Sequence, residues 1–217
     1  GLGDVYKRQY RYRVFAQEVL KHTGYKIIYG SYASTDVYYR KPLTFHTCNP
    51  QAPATSFVMV NDIHGDNKLL EDLMSRCNLT QTDFVLFNGD MLSFINSEDQ
   101  LFKGFMDTAV RLFASEIPMY YARGNHETRG VFATEIQRYF SPCQEHLYYA
   151  FRQGPVYCIV LDTGEDKPDS DIEYAGITQY DLYRTEQSEW LASILESTEY
   201  KEAPFKIIVA HIPPAVT

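Results

Sequence analysis

The chain has 217 residues, enough for one or two domains that each bury a hydrophobic core. With 45% hydrophobic and 22% charged residues the composition is that of a globular protein, and no apolar run is long enough for a membrane-spanning helix. The net charge of −8 disfavours a protein that binds nucleic acid mainly by electrostatic attraction, although a nuclease that holds phosphate through metal ions stays possible.

The two ends of the chain carry little readable pattern. Residues 1–9, GLGDVYKRQ, show no periodicity and are predicted to be unstructured or artefactual. The other end, VAHIPPAVT, stops directly after a strand-like run. We therefore expect a fragment that is truncated at both ends, in which the lack of a signal peptide says nothing about location.

Residues 10–48 are predicted to be the last strands of a small β-domain. In YRYRV, tyrosine and valine alternate with Arg11 and Arg13, which is typical of a half-buried strand. YKIIYGSY and PLTFHT predict two further short strands. Three such strands have too little to pack against on their own, so we interpret them as part of a β-sandwich whose beginning is missing.

Residues 49–55 are predicted to be a linker, because the segment CNPQAPAT carries two prolines. From Ser56 onward, strand-like runs alternate with helical patterns, so residues 56–217 are predicted to form an α/β layered domain. Its predicted strands are FVMVND, FVLFNGD, MYYARGN, VYCIVLDT and FKIIVAH. All but MYYARGN are apolar nearly throughout, which predicts strands covered on both faces.

Apolar residues at helical spacing predict helices between these strands. The first helix follows FVMVND and the second follows FVLFNGD; their apolar positions are Leu69, Leu70, Leu73, Met74 and Cys77, and Leu101, Phe105, Ala109, Leu112 and Phe113. A third helix is predicted for TEQSEWLASILES, with Thr185 as its N-cap.

Four of the predicted strands end in residues that can bind a metal ion. In chain order these are Asp62 and His64 in VNDIHGD, Asp90 in FNGDML, Asn125 and His126 in RGNHE, and His211 in VAH. Each alone is more typical of a turn residue or a hydrogen-bonded core histidine. Because ligands of open α/β sheets bind outside the carboxyl ends of the strands, the four ends together predict a shared site.

The residue types at these ends favour hard or borderline divalent ions, which carboxylate, imidazole and amide ligands suit. Gly89 and Gly124 precede two of the candidate ligands, and we expect them to allow a sharp turn or a close backbone approach. The cysteines are far apart and form no C-x-x-C pair, which predicts separate thiols in place of a disulfide or thiolate–zinc framework; they are Cys48, Cys77, Cys143 and Cys158.

The series D-x-H, G-D, G-N-H-E and a strand-end histidine resembles the calcineurin-like metallophosphoesterase superfamily, over residues 56–217. The β-fragment before it resembles the fibronectin- or immunoglobulin-like domain of purple acid phosphatase-type proteins. The resemblance implies a four-layer α/β/β/α sandwich with two metal ions above the strand ends. It also favours a periplasmic or secreted location.

Carried over residue by residue, the resemblance implies a division of roles within the site. Asp62 and His64 would bind one ion, Asn125 and His211 the other, and Asp90 would bridge both. His126 would not be a ligand and would donate a proton or hydrogen bond to the leaving oxygen.

Two features depart from the family pattern. Ser93 stands in GDMLS where the family often has aspartate or, in purple acid phosphatases, tyrosine. A tyrosinate–iron(III) site is therefore not expected, and the group that orients His126 is in question. The final G-H-x-H motif, which supplies further histidine ligands, is absent, and we interpret this as truncation.

The expected function is a two-metal phosphoesterase that uses Mn, Zn or Fe to hydrolyse small phosphomonoesters or phosphodiesters. Two nearby ions neutralise the phosphoryl oxygens and hold a bridging hydroxide as nucleophile, while His126 is the predicted general acid. One alternative is a non-catalytic protein-interaction platform of the same fold. The other is a nuclease, which the net charge of −8 disfavours.

Charged residues around the G-N-H-E run suggest how an anionic substrate is held. Arg129 is the better candidate for a phosphate clamp, together with Asn125, although Arg123 and Arg129 could equally be solvated surface residues. Glu127 is expected to hold backbone or a histidine in place. The acidic segment 163–176 does not match a calcium loop and is predicted to be a solvated loop at the substrate entrance.

Overall fold

The computed structural model describes residues 9–36, 41–141 and 144–213. The chain divides into two compact units, Gly1–Thr47 and Cys48–Thr217. The predicted unstructured segment 1–9 lies outside the described residues except for Gln9, which begins the first strand. Throughout the described residues, no helix combines the length and apolarity needed to cross a lipid bilayer.

The first unit contains four described strands, one more than the sequence predicts. Strands β1 (Gln9–Tyr12) and β4 (Leu43–His46) pair antiparallel, and β2 (Phe15–Thr23) pairs antiparallel with β3 (Lys26–Ser34). Tyr10 and Tyr12 are half-buried in β1 while Arg11 is exposed, which confirms the predicted alternation as far as Tyr12. For Val14 the prediction is wrong, because β1 ends at Tyr12 and Val14 is 55% exposed. The assignment of this unit to a fibronectin- or immunoglobulin-like domain stays a prediction.

The second unit is built on two three-stranded sheets. In the first sheet, β5 (Phe57–Val60), β6 (Phe84–Asn88) and β7 (Met119–Ala122) run parallel in the order β5-β6-β7. In the second, β9 (Val156–Val160) lies between a parallel β10 (Phe205–Val209) and an antiparallel β8 (Tyr149–Gln153).

Helices cover the outer faces of the two sheets. The helices are α1 (Asn67–Ser75), α2 (Glu98–Leu101), α3 (Asp107–Ala109), α4 (Gln137–Phe140), α5 (Tyr180–Glu196) and α6 (Thr198–Glu202). Two π-helical turns, Phe102–Met106 and Val110–Ala114, make α2 and α3 part of one continuous helix. Short 3₁₀ turns occupy Leu79–Gln81, His126–Thr128, Ala133–Glu135 and Ile172–Tyr174.

Strand alternation separates the core into three apolar layers. In β6, Phe84 and Leu86 pack with β9 between the two sheets, whereas Val85 and Phe87 pack against α1 and the α2–α3 helix. In β9, Tyr157 and Ile159 face outward and pack with α5. The predicted four-layer α/β/β/α architecture is therefore confirmed.

Coverage on both faces holds for only some of the predicted strands. β6 is buried apart from half-buried Asn88, and β9 is buried throughout, because each is the middle strand of its sheet. β5 and β10 are outer strands, and Met59, Phe205 and Ile208 are exposed on them. For these two strands the prediction of two covered faces is wrong.

Two smaller predictions have different outcomes. The helix predicted at TEQSEWLASILES begins earlier, at Tyr180, so the prediction of Thr185 as N-cap is wrong; Thr185 instead donates a hydrogen bond to the Asp181 carbonyl. Among the described cysteines, Cys48, Cys77 and Cys158 are all free thiols, as predicted, and Cys143 lies outside the described residues.

Candidate metal centre

The carboxyl ends of β5, β6 and β7 carry the predicted site residues on adjoining loops. The loops after β5 and β6 are tied together, because the backbone N–H groups of Asp62 and His64 donate to the carbonyls of Gly89 and Asp90, at 3.1 and 3.0 Å. Asp62, His64 and Asp90 all have left-handed backbone, with φ of 56°, 50° and 54°. Such a conformation costs non-glycine residues about 1–3 kcal/mol each and is concentrated at functional sites.

Gly89 and Gly124 permit a close approach between two of these loops. A Cβ atom at Gly89 would lie 2.7 Å from the Cα of Gly124 and from Cγ of His211. A Cβ atom at Gly124 would overlap Oδ1 and the backbone nitrogen of Asp90. The predicted need for a missing Cβ at both positions is therefore confirmed.

Glu127 is the fully buried anchor of this region. Its Oε2 accepts hydrogen bonds from the backbone N–H of Asp90 and of Gly124, both at 2.9 Å. Its Oε1 accepts one from Leu92 N–H, also at 2.9 Å. Of the two roles expected for Glu127, the structure shows that it holds backbone.

Asp90 lies at the centre of the candidate ligands. Its Oδ2 is 3.3 Å from Nε2 of His211, 3.8 Å from Nε2 of His126 and 3.9 Å from Nε2 of His64. Nε2 of His64 is also 3.9 Å from Oδ1 of Asp62. The side chain of Asp90 is 6% exposed while that of Asp62 is 52% exposed. Solvent therefore reaches the site from the side of Asp62, and Asp90 forms its buried end.

The histidine rings are oriented through their Nδ1 atoms. Nδ1 of His211 lies 2.7 Å from the Asn88 carbonyl, and Nδ1 of His126 lies 3.0 Å from the Ser93 carbonyl. Because a carbonyl only accepts, Nδ1 carries the proton in both rings. Nδ1 of His64 lies 3.2 Å from Oγ of Ser93. Ser93 therefore orients two histidines, one through its side chain and one through its backbone.

These residues fit a pair of divalent ions. They form two groups, His64 with Asp90 and His126, and Asp62 with Asp90 and His211, whose ligand atoms lie within 4.8 Å of one another. Ligand atoms about 2 Å from one ion are themselves about 3–4 Å apart, as around Asp90. An Nδ1–H bound to a carbonyl is the usual support of a histidine that binds metal through Nε2. Asp90 belongs to both groups, as a bridging ligand must.

The hydrogen bonds around Asp90 also change the pKa values of Asp90 and His211. Burial raises the pKa of Asp90, but its contact with His211 and the backbone N–H of His126 outweigh burial and lower that pKa overall. The hydrogen bond with Asp90 raises the pKa of His211 to about 9. Without metal, an Asp90 carboxylate therefore faces a His211 imidazolium.

Asn125 and Arg129 flank His126 in different ways. Asn125 is half-buried directly before the 3₁₀ turn His126–Thr128, and its carbonyl accepts a hydrogen bond from Oγ1 of Thr128 at 2.7 Å. The role of its carboxamide in metal or substrate binding stays a prediction. Arg129 is partly exposed, and it forms a two-pronged ion pair with Glu165 at 2.9 and 3.0 Å.

Arg123 is neither a surface residue nor a substrate ligand. Its guanidinium is largely buried, pairs with the buried Asp162 at 2.8 Å, and contacts the ring face of Tyr183. The expectation of a solvated or substrate-facing Arg123 is therefore wrong, because a carboxylate 39 residues later in the chain neutralises it inside the fold.

The acidic segment 163–176 is only partly a solvated loop. Glu165 is 7% exposed, and sequence reasoning missed its contact with Arg129. Asp169 accepts hydrogen bonds from Oγ1 of Thr178 and from the backbone N–H groups of Tyr180 and Asp181. The segment therefore caps α5 and contacts the residues after His126, while its predicted role at a substrate entrance stays untested.

Replacing Gly124 by alanine is expected to break the contact between the loops after β6 and β7. The added Cβ overlaps Asp90, so the two loops must separate and the candidate ligands move apart. We expect at least one of two bound ions to be lost, measured by elemental analysis of the purified protein. Gly176→Ala is the control: with φ of 71° it strains its own turn, but no atom lies within 4 Å of its added Cβ and the turn contains no candidate ligand. Equal metal content in both variants would contradict the prediction.

Comparisons with known proteins agree with this architecture. The calcineurin-like phosphoesterase family model matches residues 55–216. A purple acid phosphatase from yellow lupin (Lupinus luteus) seeds superimposes with a TM-score of 0.59 and 18% identity, covering 83% of this chain and 34% of the lupin chain. The chain thus spans about a third of the length of that protein.

A dimetal phosphatase from Danio rerio superimposes with a TM-score of 0.50 and 13% identity, covering 75% of this chain and 71% of the other. No curated protein sequence shows significant similarity to the chain. At these identities the two structures show a shared fold alone. The family match extends over well over half of the 217 residues, and the chain therefore belongs to the calcineurin-like phosphoesterase family.

Proposed function

We propose that this protein hydrolyses small phosphate esters with two divalent metal ions. One observation carries the proposal: a buried carboxylate, Asp90, has the Nε2 atoms of His64, His126 and His211 within 3.3–3.9 Å of one oxygen. Carboxylate and imidazole groups that converge at metal-ligand spacing, on backbone held in the left-handed region, are the donor set that a divalent ion needs.

Five residues are proposed to hold the ions. Following the family resemblance, Asp62 and His64 bind one, Asn125 and His211 bind the other, and Asp90 is shared. Spacing alone groups Asp62 with His211 and His64 with His126, so the division of the outer ligands rests on the resemblance. Oxygen and imidazole donors suit Mn, Zn or Fe. A bound pair of ions would neutralise the phosphoryl oxygens and acidify the attacking water.

His126 is proposed to protonate the leaving oxygen. The Ser93 carbonyl fixes the proton on Nδ1, so Nε2 is the atom that exchanges a proton with substrate. This nitrogen lies 3.8 Å from Asp90 Oδ2, on the side of the ring that faces the candidate ligands. The ring therefore has the orientation that a general acid needs.

The open side of the site favours a small ester over nucleic acid. Asp62 and His64 are the more exposed members of the site, so substrate is proposed to approach from their side. The net charge of −8 offers no general attraction for a polyanion.

The decisive experiment is hydrolysis by the intact protein of phenyl phosphate and para-nitrophenyl phosphate. We expect activity that a chelator removes and that added Mn²⁺ or Zn²⁺ restores. A protein that demonstrably holds two ions and hydrolyses neither ester would contradict the proposal.

Metal binding is expected to release the proton on His211. With a pKa of about 9, His211 is almost fully protonated at pH 7 in the metal-free protein, and a metal ligand must be deprotonated. Apparent affinity should therefore increase about tenfold per pH unit as pH rises towards that pKa, and level off above it.

Calorimetric titration of the metal-free protein in buffers of different ionisation enthalpy measures this release. His211→Gln is the matched variant, because it keeps an oxygen donor but has no proton to lose. The prediction is contradicted if His211→Gln and the unmodified protein release the same number of protons.

A further inference from the structure

Glu165 is a buried carboxylate whose contacts lead towards the proposed general acid. It lies in the loop after β9 and accepts hydrogen bonds from Nε and Nη2 of Arg129, at 2.9 and 3.0 Å. Oγ1 of Thr128 lies 2.7 Å from the same carboxylate and 2.7 Å from the Asn125 carbonyl, so its single proton is shared between these two acceptors. The two residues directly after His126–Glu127 are thus held by one side chain from the loop after β9.

The remaining nitrogen of Arg129 contacts the ring of His126. Nη1 lies 3.4 Å from Nδ1 and 3.3 Å from Nε2, so the guanidinium lies against the ring. The Ser93 carbonyl meets Nδ1 at 3.0 Å. His126 is therefore held by Ser93 through one nitrogen and by Arg129 along the ring.

The Arg129–Glu165 pair differs from the other ion pair of the same loop. Glu165 is 6% exposed at its side chain and bonds through both oxygens, whereas Glu173, which pairs with Lys167, is 64% exposed. Burial raises the pKa of Glu165, but the hydrogen bonds from Arg129 and Thr128 outweigh it and lower the pKa. A two-pronged pair fixes the plane of the guanidinium, which a single contact cannot do.

We propose that Glu165 is a positioning residue for His126, acting through Arg129. The proposal rests on the function proposed above for His126. Glu165 engages Nε and Nη2 of Arg129, which fixes the plane of the guanidinium and leaves Nη1 against the ring of His126. In this role, the guanidinium of Arg129 lies against the ring of His126 and keeps Nε2 pointing at the leaving oxygen.

Leaving-group dependence distinguishes this role from a purely structural one. Phenolate is a poor leaving group and needs the proton from His126, whereas para-nitrophenolate needs it far less. We expect Glu165→Gln to lower kcat for phenyl phosphate about 10- to 100-fold, and for para-nitrophenyl phosphate less than about threefold, with KM nearly unchanged. Arg129→Lys, at a partly exposed position, should reproduce this pattern because lysine cannot form the two-pronged contact with Glu165. Glu173→Gln should leave both reactions unchanged.

The double variant Arg129→Met with Glu165→Gln tests whether Glu165 acts through Arg129. If it does, the double variant loses no more kcat than Arg129→Met alone, as expected for residues that act as one unit. Additive effects, an equal loss of kcat with both esters, or a raised KM with unchanged kcat would each overturn the proposal. Hydrolysis by the unmodified protein is the separate test of the function itself.

Discussion

Asp90→Asn is expected to lose both metal ions and all hydrolysis at once. Asp90 is the member shared by both groups of candidate ligands, and it is the most buried of them. Asparagine keeps the size of the side chain but removes the charge that attracts both ions. Loss of an outer-shell partner alone typically weakens metal binding about 10–100-fold, so loss of the shared ligand should cost at least about 100-fold.

Elemental analysis and calorimetric titration of the purified variant measure this effect. Asp72→Asn is a matched control, because Asp72 is exposed on α1 and its replacement removes the same charge. The control should keep two ions and full activity. Retention of two ions by Asp90→Asn would show that Asp90 does not bridge them, and the proposed centre would have to be abandoned.

The layered architecture could be predicted from the sequence because its signals are local. Alternation in FVLFN places Phe84 and Leu86 on one face of β6 and Val85 and Phe87 on the other, and both faces are apolar. The carboxyl-end rule then brings Asp62, His64 and Asp90 together without knowledge of any contact. Both steps need only residues within one strand or the loop after it.

Strand β2 was missed because neither of its faces is buried. All nine residues of Phe15–Thr23 are exposed, and polar and apolar side chains occur on both faces. The strand is held by backbone hydrogen bonds to β3. Because backbone pairing does not depend on the side chains, it produces no alternation of apolar and polar residues that could be recognised in the sequence.

Contacts between distant parts of the chain account for the other misses. Helix α5 begins at Tyr180, because Asp169 in the preceding loop accepts hydrogen bonds from the first backbone N–H groups of the helix. The preference of threonine for an N-cap at Thr185 could not compete with that contact. Arg123 and Arg129 have similar positions beside the G-N-H-E run in the sequence. In the structure, however, Arg123 pairs with Asp162 inside the fold, whereas Arg129 pairs with Glu165 and is partly exposed. A sequence alone does not show which carboxylate meets which arginine.

His126→Ala is expected to stop efficient turnover while both ions stay bound. A general acid typically contributes about 10²–10⁴-fold, so kcat for phenyl phosphate should fall by that factor, and less for para-nitrophenyl phosphate. His146→Ala is the control, since His146 stacks on Tyr148 and belongs to neither group of candidate ligands. It should keep both activity and metal.

The metal content of His126→Ala decides between two roles that the geometry allows. Nε2 of His126 falls in one group with His64 and Asp90, so the ring is placed as a ligand as well as an acid. If His126 is the acid, the variant keeps two ions and loses kcat in proportion to how poor the leaving group is. If His126 is a ligand, one ion is lost and both esters slow equally, because the missing charge serves every substrate. The second result would contradict the proposed proton donor and reassign His126 to the metal centre.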